Sequence, residues 1–402
     1  MNILLLSSIY PLPGPTNQGT KVCHFFAKEW VGMGHRVVAV HFQATYPAPF
    51  YWAAKLFQKR LAAKTGAIVY TKREKHTSYF EMDGVQVMRV PLYKTIPHGQ
   101  FAQNRLELSQ REIAEYLNSI GFTPEIITGH FLNPQLEMLG MLKQRFRSAR
   151  TCLVFHLPAE YGIADKLYGK DFLQMIGDVD YVGFRNAALK SEFKRRYQLS
   201  NKTFICYSGI PEAFITKKNT HTFNGNLKSF IYVGGLIERK YPAQVVDALY
   251  GAYPEKDFEI EYVGAGQQSA VITEKAKQYD IEGNVRLLGK IDRSAILERY
   301  DKSDCMVMIS KGEAYGLVYL EAMARGCITI ASKNEGMDGV IVNGENGFLC
   351  TAGDSKELSD IIRHINTLPD AEKQRISENA IKTANELTDY KAAKRYLDDL
   401  CS

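Results

Sequence analysis

The nine residues Glu313-Ala-Tyr-Gly-Leu-Val-Tyr-Leu-Glu321 place two carboxylates eight positions apart, on either side of a glycine. The apolar run 305–309 before them predicts a strand, and the run 317–325 predicts a helix that holds the second carboxylate. A strand, a short loop and a helix N-terminus would present both acids at one rim. Carboxylates accept strong, directional hydrogen bonds, which suits the hydroxyls of a sugar and of a ribose. A solvated helix start, where the helix dipole favours Glu, predicts the same residues.

The flanking sequence decides between these two interpretations. The stretch resembles the Glu-x7-Glu motif of retaining family 4 glycosyltransferases, and the likeness continues through Glu-Ala-Met-Ala-Arg-Gly (321–326), Ile-Thr-Ile-Ala-Ser (328–332) and Asn-Gly-Glu-Asn-Gly-Phe-Leu (343–349). It is strong over 231–362 and weaker over 1–214. The resemblance implies the GT-B fold, in which two Rossmann-like α/β domains face a central cleft, and a role of the bacterial surface-polysaccharide type. It also implies catalysis by Glu313 and nucleotide contacts from Tyr315, Gly316, Leu317 and Glu321.

Length and composition agree with a two-domain enzyme. A chain of 402 residues exceeds one ordinary core, and 45% hydrophobic with 23% charged residues is typical of a globular protein. The seven cysteines show no CxxC spacing, which favours reduced thiols in the cytoplasm. No apolar run is long enough to span a bilayer. The net charge of +6 is modest and no nucleic-acid motif occurs, so we expect no nucleic-acid partner.

Apolar runs alternate with helical periodicity, as in repeated βα units. We predict an acceptor-side domain at 1–203 and a nucleotide-sugar domain at 204–385, with a hinge near 201–204. By resemblance, the final helix, 386–402, crosses back onto the first domain. The predicted strands are 3–7, 36–42, 85–90, 126–130, 152–156, 180–184, 230–233, 259–263, 285–288, 305–309 and 327–331.

A phosphate site is indicated by Val-Gly-Gly-Leu-Ile-Glu-Arg-Lys at 233–240. Glycine lets backbone approach a ligand closely, Arg offers a planar fork for phosphate oxygens, and Lys adds a compact charge. The pattern resembles the family's diphosphate loop, which implies that Gly235 contacts the diphosphate and that Arg239 and Lys240 neutralise it as it leaves. Many members carry Arg at the position of Gly235, so one basic contact is missing here. A solvated basic loop is the alternative.

Further nucleotide contacts follow from the resemblance. Gly264, in Tyr-Val-Gly-Ala-Gly at 262–266, would lie beside the nucleotide, and Leu288, Gly289 and Lys290 would meet the base edge. In the first domain, Gly19 would approach the donor phosphates, while Thr20 could cap the helix that follows. A plain loop and cap would look the same.

Two histidines end predicted strands of the first domain, His130 and His156. Such residues are often structural, but ligands of open α/β sheets bind at this edge. His156 matches the family position that contacts the donor sugar near the reacting carbon. Asp178 and Asp180 form Asp-x-Asp, yet two acids are a poor Mg²⁺ site without further ligands. We therefore expect no metal, with Arg239 and Lys240 supplying the positive charge.

Aromatic and basic residues are interleaved at 50–75, including Trp52, Leu56 and Lys59 at near-helical spacing. This segment could be an amphipathic basic helix that binds an anionic membrane surface. A core-packing helix with a solvated basic face explains the pattern equally well. The localisation expected is cytoplasmic, with peripheral attachment at the inner face of the cell membrane as one outcome.

These observations predict a retaining glycosyltransferase that moves a hexose from a nucleotide sugar to a hydroxyl of a glycan or lipid-linked glycan acceptor. No cofactor is expected, and UDP-hexose is favoured over GDP-mannose as donor. The alternatives are a GT-B sugar-nucleotide epimerase and a catalytically silent sugar-nucleotide-binding protein. The intact Arg239, Lys240, Glu313 and Glu321 argue against the silent protein.

Overall fold

The computed structural model describes residues 1–13, 21–65, 70–97, 99–198, 201–215 and 221–402, with the backbone alone at 59–65 and 293. The chain divides into two compact units. The first comprises Met1–Arg185, Leu189–Cys206 and Ala393–Ser402, and the second comprises Asn186–Ala188 and Tyr207–Ala392.

The described strands of the first unit form one eight-stranded sheet. They are β1 Asn2–Ser7, β2 Arg36–Thr45, β3 Ser78–Met82, β4 Val85–Tyr93, β5 Ile126–His130, β6 Arg150–Phe155, β7 Tyr181–Phe184 and β8 Lys202–Ile205. Their order is β3-β4-β2-β1-β5-β6-β7-β8, and all neighbours are parallel except the antiparallel pair β3 and β4. The strand order reverses between β1 and β5. Loops diverge at such a switch point, and ligands of α/β proteins bind there.

The second unit holds a smaller sheet, with six strands among its described residues. They are β9 Ser229–Val233, β10 Glu259–Val263, β11 Val285–Gly289, β12 Cys305–Val307, β13 Ile328–Ser332 and β14 Phe348–Cys350. All neighbours are parallel, in the order β11-β10-β9-β12-β13-β14. The central strands are buried almost throughout, as expected when helices cover both faces of a parallel sheet. Here the order reverses between β9 and β12.

Helices connect the strands in both units. They are α1 Val22–Gly32, α2 Ala48–Thr65, α3 Gln103–Ser119, α4 Gln135–Arg145, α5 Ala159–Tyr168, α6 Asp171–Gly177, α7 Ala187–Arg196, α8 Pro242–Ala252, α9 Gln268–Gln278, α10 Arg293–Tyr300, α11 Leu317–Ala324, α12 Ser355–Thr367, α13 Asp370–Asn385 and α14 Asp389–Cys401.

The last helix, α14, contributes its C-terminal part to the first unit. The Trp30 indole N–H donates to the Ala393 carbonyl at 3.0 Å, and Arg150 donates to the Leu400 carbonyl at 2.8 Å. Tyr396 is buried, and its ring packs edge-on against Trp30. These contacts tie the end of the chain to α1 and to the sheet.

All eleven predicted strands are present, with ends that differ by at most three residues from the prediction. Three strands were not predicted: β3, β8 and the three-residue β14. β3 is an exposed edge strand without an apolar run, and β8 has four residues. The predicted boundary after residue 203 falls inside β8, which pairs with β7 as far as Ile205, so the first unit continues to Cys206. The boundary was placed too early because β8 has only four residues, too few to show a clear alternation of apolar and polar side chains.

Candidate functional site

In the second unit, the loops after β9 and β12 are hydrogen-bonded to each other. The two strands are neighbours at the point where the strand order reverses, so their carboxyl ends meet. Arg239 and Lys240 end a single 3-10 turn after β9. The Arg239 guanidinium donates to the Lys311 carbonyl at 3.0 Å, and the Lys311 N–H donates back to the Arg239 carbonyl at 2.7 Å. The basic pair is thereby held against the loop that carries Glu313.

Lys240 and Glu313 form an ion pair across these loops. The Lys240 ammonium lies 2.9 Å from a carboxylate oxygen of Glu313, and the side chains are only 15% and 17% exposed. The Glu313 N–H donates to the Glu335 carboxylate at 2.8 Å, which fixes the backbone under the pair. Arg239, by contrast, is exposed. The loops therefore present one half-buried charge pair and one exposed guanidinium at the end of the sheet.

Glycines let the strand-end loops touch through their backbones. A Cβ at Gly264 (φ +147°) would lie 1.8 Å from the Gly234 carbonyl oxygen, and one at Gly266 would lie 2.1 Å from that of Leu236. The Gly264 N–H donates to the Gly289 carbonyl at 2.8 Å. Any side chain at Gly264 or Gly266 would force these loops apart. The Gly-x-Gly pattern thus has a structural reason here, whatever ligand it contacts.

Gly235 differs from these glycines. It is exposed, and a Cβ built on it would meet no atom within 4 Å. The loop has room for the Arg that the resemblance leads one to expect.

Residues 305–325 form the predicted strand, loop and helix. β12 leads through the Glu313 loop into α11, with Gly316 at φ +87° as the residue before the helix. A Cβ at Gly316 would lie 2.5 Å from the Tyr319 ring, so this turn requires glycine. Glu321 lies inside α11 and is 5% exposed, Tyr315 is buried, and Leu317 is half-buried at the first helical position. A carboxylate this buried is costly without polar partners, so a solvated helix start does not describe Glu321.

Burial and the charge of Glu313 raise the pKa of Tyr319. Its hydroxyl stays protonated and donates to the Met308 carbonyl at 2.7 Å. Tyr319 therefore braces the start of the loop that carries Glu313.

The predicted base contacts lie at the end of β11, an outer strand of the second sheet. Leu288 is half-buried, Gly289 has φ +69°, and Lys290 is exposed. Their assignment to a base pocket stays a prediction.

In the first unit, His130 and His156 are hydrogen-bonded to each other. Nδ1 of His130 lies 3.0 Å from Nε2 of His156, and Nε2 of His130 lies 3.3 Å from the Tyr396 hydroxyl. Burial, assisted by the charge of Arg185, lowers the pKa of His130 to about 3. Burial, His130 and Arg185 likewise lower the pKa of His156 far below its ordinary value. Both rings are neutral at pH 7, and because Nε2 of His156 is taken, only its Nδ1 remains for a ligand.

The Phe131 ring stacks on one face of the His156 ring. The two ring centroids are 3.9 Å apart and the planes are inclined by 24°. Phe131 has φ +71°, which is strained for a bulky side chain, and it directly follows β5 at the first sheet's switch point. Strained residues of this kind cluster at functional sites.

Glu160 supports the same histidine through its backbone. Its buried carboxylate accepts hydrogen bonds from the N–H groups of His156 and of Leu157, the latter at 2.8 Å. Burial raises the pKa of Glu160 to about 7, against the lowering effect of these hydrogen bonds. This group therefore titrates near neutral pH.

Asp180 binds protein groups. Its carboxylate accepts from the Thr151 N–H at 2.8 Å and the Thr151 hydroxyl at 3.0 Å, and pairs with Lys143 at 3.0 Å. Burial raises the pKa of Asp180, but these hydrogen bonds outweigh it, so the pKa lies below its usual value. The carboxylate thus joins β6 to the start of β7.

Comparison with known proteins connects this geometry to a family. Residues 214–383 match the family described as glycosyl transferases group 1. The N-acetyl-alpha-D-glucosaminyl L-malate synthase of Bacillus anthracis is 34% identical over 158 residues, 39% of this chain and 40% of that protein. An uncharacterized glycosyltransferase of Methanocaldococcus jannaschii is 22% identical over 242 residues, 59% of this chain and 64% of that protein. The chain thus spans less than two thirds of each of these relatives.

Solved structures match along the whole chain. The Anabaena protein HepE, solved in complex with UDP and glucose, is similar with a TM-score of 0.63 at 17% identity, over 100% of both chains. The fold is GT-B. The family match and the names of the relatives support a GT-B glycosyltransferase family, and the predicted fold class is confirmed.

Two predictions concern segments that the structure describes in part or not at all. They are the phosphate loop with Gly19 and Thr20, and the basic helix within 50–75. Gly19 and Thr20 lie outside the described residues, as do the side chains of Lys59 and its neighbours in the last turns of α2.

The earlier part of α2 is described and exposes apolar side chains. Tyr51 and Ala54 are buried, while Trp52, Leu56 and Phe57 are 72%, 79% and 51% exposed. The described side chains of α2 thus pack through one narrow face, and a core-packing role does not account for Trp52, Leu56 and Phe57. No described helix combines the length and the apolar character needed to cross a bilayer.

Sequence reasoning missed Phe131, Glu160 and Tyr396. Phe131 and Glu160 lie within five residues of the two strand-end histidines, where a search of the neighbouring positions would have found them. Tyr396 lies on the final helix, and nothing in its local sequence points to His130.

Proposed function

We propose that this protein is a retaining glycosyltransferase that moves a hexose from a nucleotide-activated sugar to a hydroxyl of a glycan or lipid-linked glycan. The observation that carries the proposal is the half-buried pair of Lys240 and Glu313 at the switch point of the second sheet. A charge pair at this edge suits a ligand that bears both phosphates and hydroxyls.

The second unit would hold the donor. Arg239 and Lys240 neutralise the diphosphate. Nη1 of Arg239 donates to the Lys311 carbonyl, and the other N–H groups of its guanidinium bind the phosphate oxygens. When Lys240 binds the diphosphate, its ion pair with Glu313 breaks, and the carboxylate of Glu313 can accept from a hydroxyl of the sugar. Glu321 accepts from the ribose hydroxyls, and Leu288 and Lys290 meet the base. His156 as a contact of the donor sugar stays a prediction from the resemblance.

In the reaction, the bond between the anomeric carbon and the diphosphate oxygen breaks, and the acceptor hydroxyl forms a new bond on the same face. The hydroxyl proton passes to the departing diphosphate. The transition state has oxocarbenium character and is stabilised by the adjacent diphosphate charge. Positive groups held in advance at the leaving group supply this kind of electrostatic stabilisation. No protein nucleophile is required.

A uridine nucleotide is the favoured donor, with UDP-hexose ahead of GDP-mannose. The support is the likeness to a protein solved with UDP. We further propose that the exposed face of α2, with Trp52, Leu56, Phe57 and the exposed Lys55, rests on an anionic membrane. Inserted aromatic residues and lysine together suit such a surface, where a lipid-linked acceptor would be found.

The test is a thermal-shift panel with UDP-, GDP- and ADP-sugars, followed by NMR of the product. A ligand at 100 times its Kd should add about 2.7 kcal/mol to the free energy of unfolding. We expect a UDP-sugar to stabilise the protein and the product to keep the donor's anomeric configuration. Inversion, or no stabilisation by any nucleotide sugar, would contradict the proposal. Conversion of the donor to its epimer without acceptor would instead identify an epimerase.

Metal independence is tested in the same assay. With Arg239 and Lys240 supplying the positive charge, turnover should persist in excess chelator. Loss of turnover that Mg²⁺ or Mn²⁺ restores would contradict it.

A further inference from the structure

A cavity of about 430 Å³ lies in the first unit at the carboxyl ends of β2 and β4. Thr45 and Tyr93, the last residues of these strands, line it together with residues 73–77 and the first turns of α3. The antiparallel pairing of Ser78 with Arg89 brings 73–77 to this edge. Ligand pockets commonly have this size, and α/β proteins bind ligands at this edge.

The lining of this cavity is basic. It contains the cations Arg73, Lys75 and Arg105, the titratable His76, and the carboxylates Glu74 and Glu112. Arg89, which is not part of the lining, forms an ion pair with Glu74 at 3.6 Å. Because Glu74 is already paired with Arg89, Glu112 is the one lining carboxylate left to balance the positive charges of Arg73, Lys75 and Arg105. Within the described part of the chain, no carboxylate forms an ion pair with Arg73, Lys75 or Arg105.

Arg73 is held in a defined orientation. Its guanidinium lies over the Tyr93 ring, 5.0 Å from the centroid. Stacking on an aromatic face leaves the N–H edges of the guanidinium directed outward, where they match the paired oxygens of a carboxylate or phosphate. Helix α3 supplies a second guanidinium, that of Arg105, and the Ser109 side chain adds a hydroxyl to the wall.

We propose that this cavity binds an acidic group, a phosphate or a carboxylate, carried by the sugar acceptor. The proposal rests on the proposed glycosyl transfer, because it names the chemical class of the molecule that receives the hexose. The acceptor is then an anionic sugar, either a uronic acid or a sugar held through phosphate.

The experiment measures binding of glucose 6-phosphate, glucuronic acid and uncharged methyl glucoside by NMR titration at 0.15 M salt. At this salt, charges that do not touch the ligand are largely screened. We expect at least one acidic sugar to bind wild type more tightly than methyl glucoside. Arg73→Gln and Arg105→Gln should each weaken that binding about 10-fold or more, as expected for a charged hydrogen bond. Preference for the phosphate or the carboxylate identifies the source of the acid.

Lys72→Gln and Arg111→Gln are matched controls, since both remove an exposed cation outside the lining. Their Kd should stay within about twofold of wild type. Equal losses in controls and lining variants, or equal affinity for methyl glucoside, would overturn the proposal. UDP stabilisation is measured on the same samples. If UDP stabilises neither wild type nor any variant while the acidic sugar still binds, the proposed glycosyl transfer is wrong. The cavity would then still be a binding site for acidic sugars.

Discussion

Replacing Lys240 by alanine tests the central contact of the proposed donor site. The change removes one partner of a pair with 15% and 17% side-chain exposure and leaves Glu313 without its counter-ion. Breaking a buried pair costs about 3–5 kcal/mol and an exposed pair about 0–1 kcal/mol, so this half-buried pair should cost roughly 1–3 kcal/mol of stability. The loss of one preorganised charge on the leaving group should lower kcat by about 10²–10³.

The stability effect and the rate effect can be separated. Lys240→Ala with Glu313→Gln removes both charges, so it should recover most of the unfolding free energy without recovering kcat. Lys311→Ala is the matched control, because that residue is exposed and contacts Arg239 through its backbone only. The assay is release of nucleoside diphosphate at saturating donor, with thermal unfolding of each variant. A folded Lys240→Ala protein with kcat within threefold of wild type would refute the reasoning.

Four further predictions follow from the same contacts. Glu321→Ala should weaken UDP binding about 10–100-fold by calorimetry, while Glu313→Ala chiefly lowers kcat; wild-type UDP affinity in both variants would contradict this. Tyr396→Phe removes the hydroxyl beside His130, so kcat should fall several-fold and the ¹⁵N ring shifts of His156 should change; unchanged shifts would show that Tyr396 does not act on that ring. Glu160 binds its proton more tightly when folded. Its contribution is therefore fully present below pH 4.5, and the unfolding free energy of wild type relative to Glu160→Gln should fall as the pH rises from 4.5 to about 7; parallel pH profiles would argue against the raised pKa. Wild type should float with anionic vesicles at low salt, whereas Trp52→Ser/Leu56→Ser should not; a Leu173→Ser control, which removes a 47% exposed leucine outside α2, should behave as wild type, and flotation of all three proteins would remove α2 from the contact.

Much of the fold could be predicted from the apolar runs. The strands β5 and β10 were predicted to the residue, because each is a short buried run with clear flanking signals. β3 was not predicted, because an exposed edge strand needs no apolar pattern. The boundary between the units was placed three residues early because β8 is short. Exposure on α2 could not be predicted either, since a core helix and a surface helix share the same spacing of aromatic residues.

The sequence by itself determined which residue types stand at the strand ends. Gly264, Gly316, the Arg239–Lys240 pair and the two glutamates are local patterns, and their spacing alone indicates turns, a phosphate loop and a helix start. The tertiary structure decided which of them touch. Lys240 reaches Glu313 because β9 and β12, distant in sequence, are neighbours in the sheet. Tyr396 reaches His130 because α14 packs on the first unit. Such contacts depend on strand order and helix docking, which arise from burial of the whole core and have no signature in any short stretch of chain.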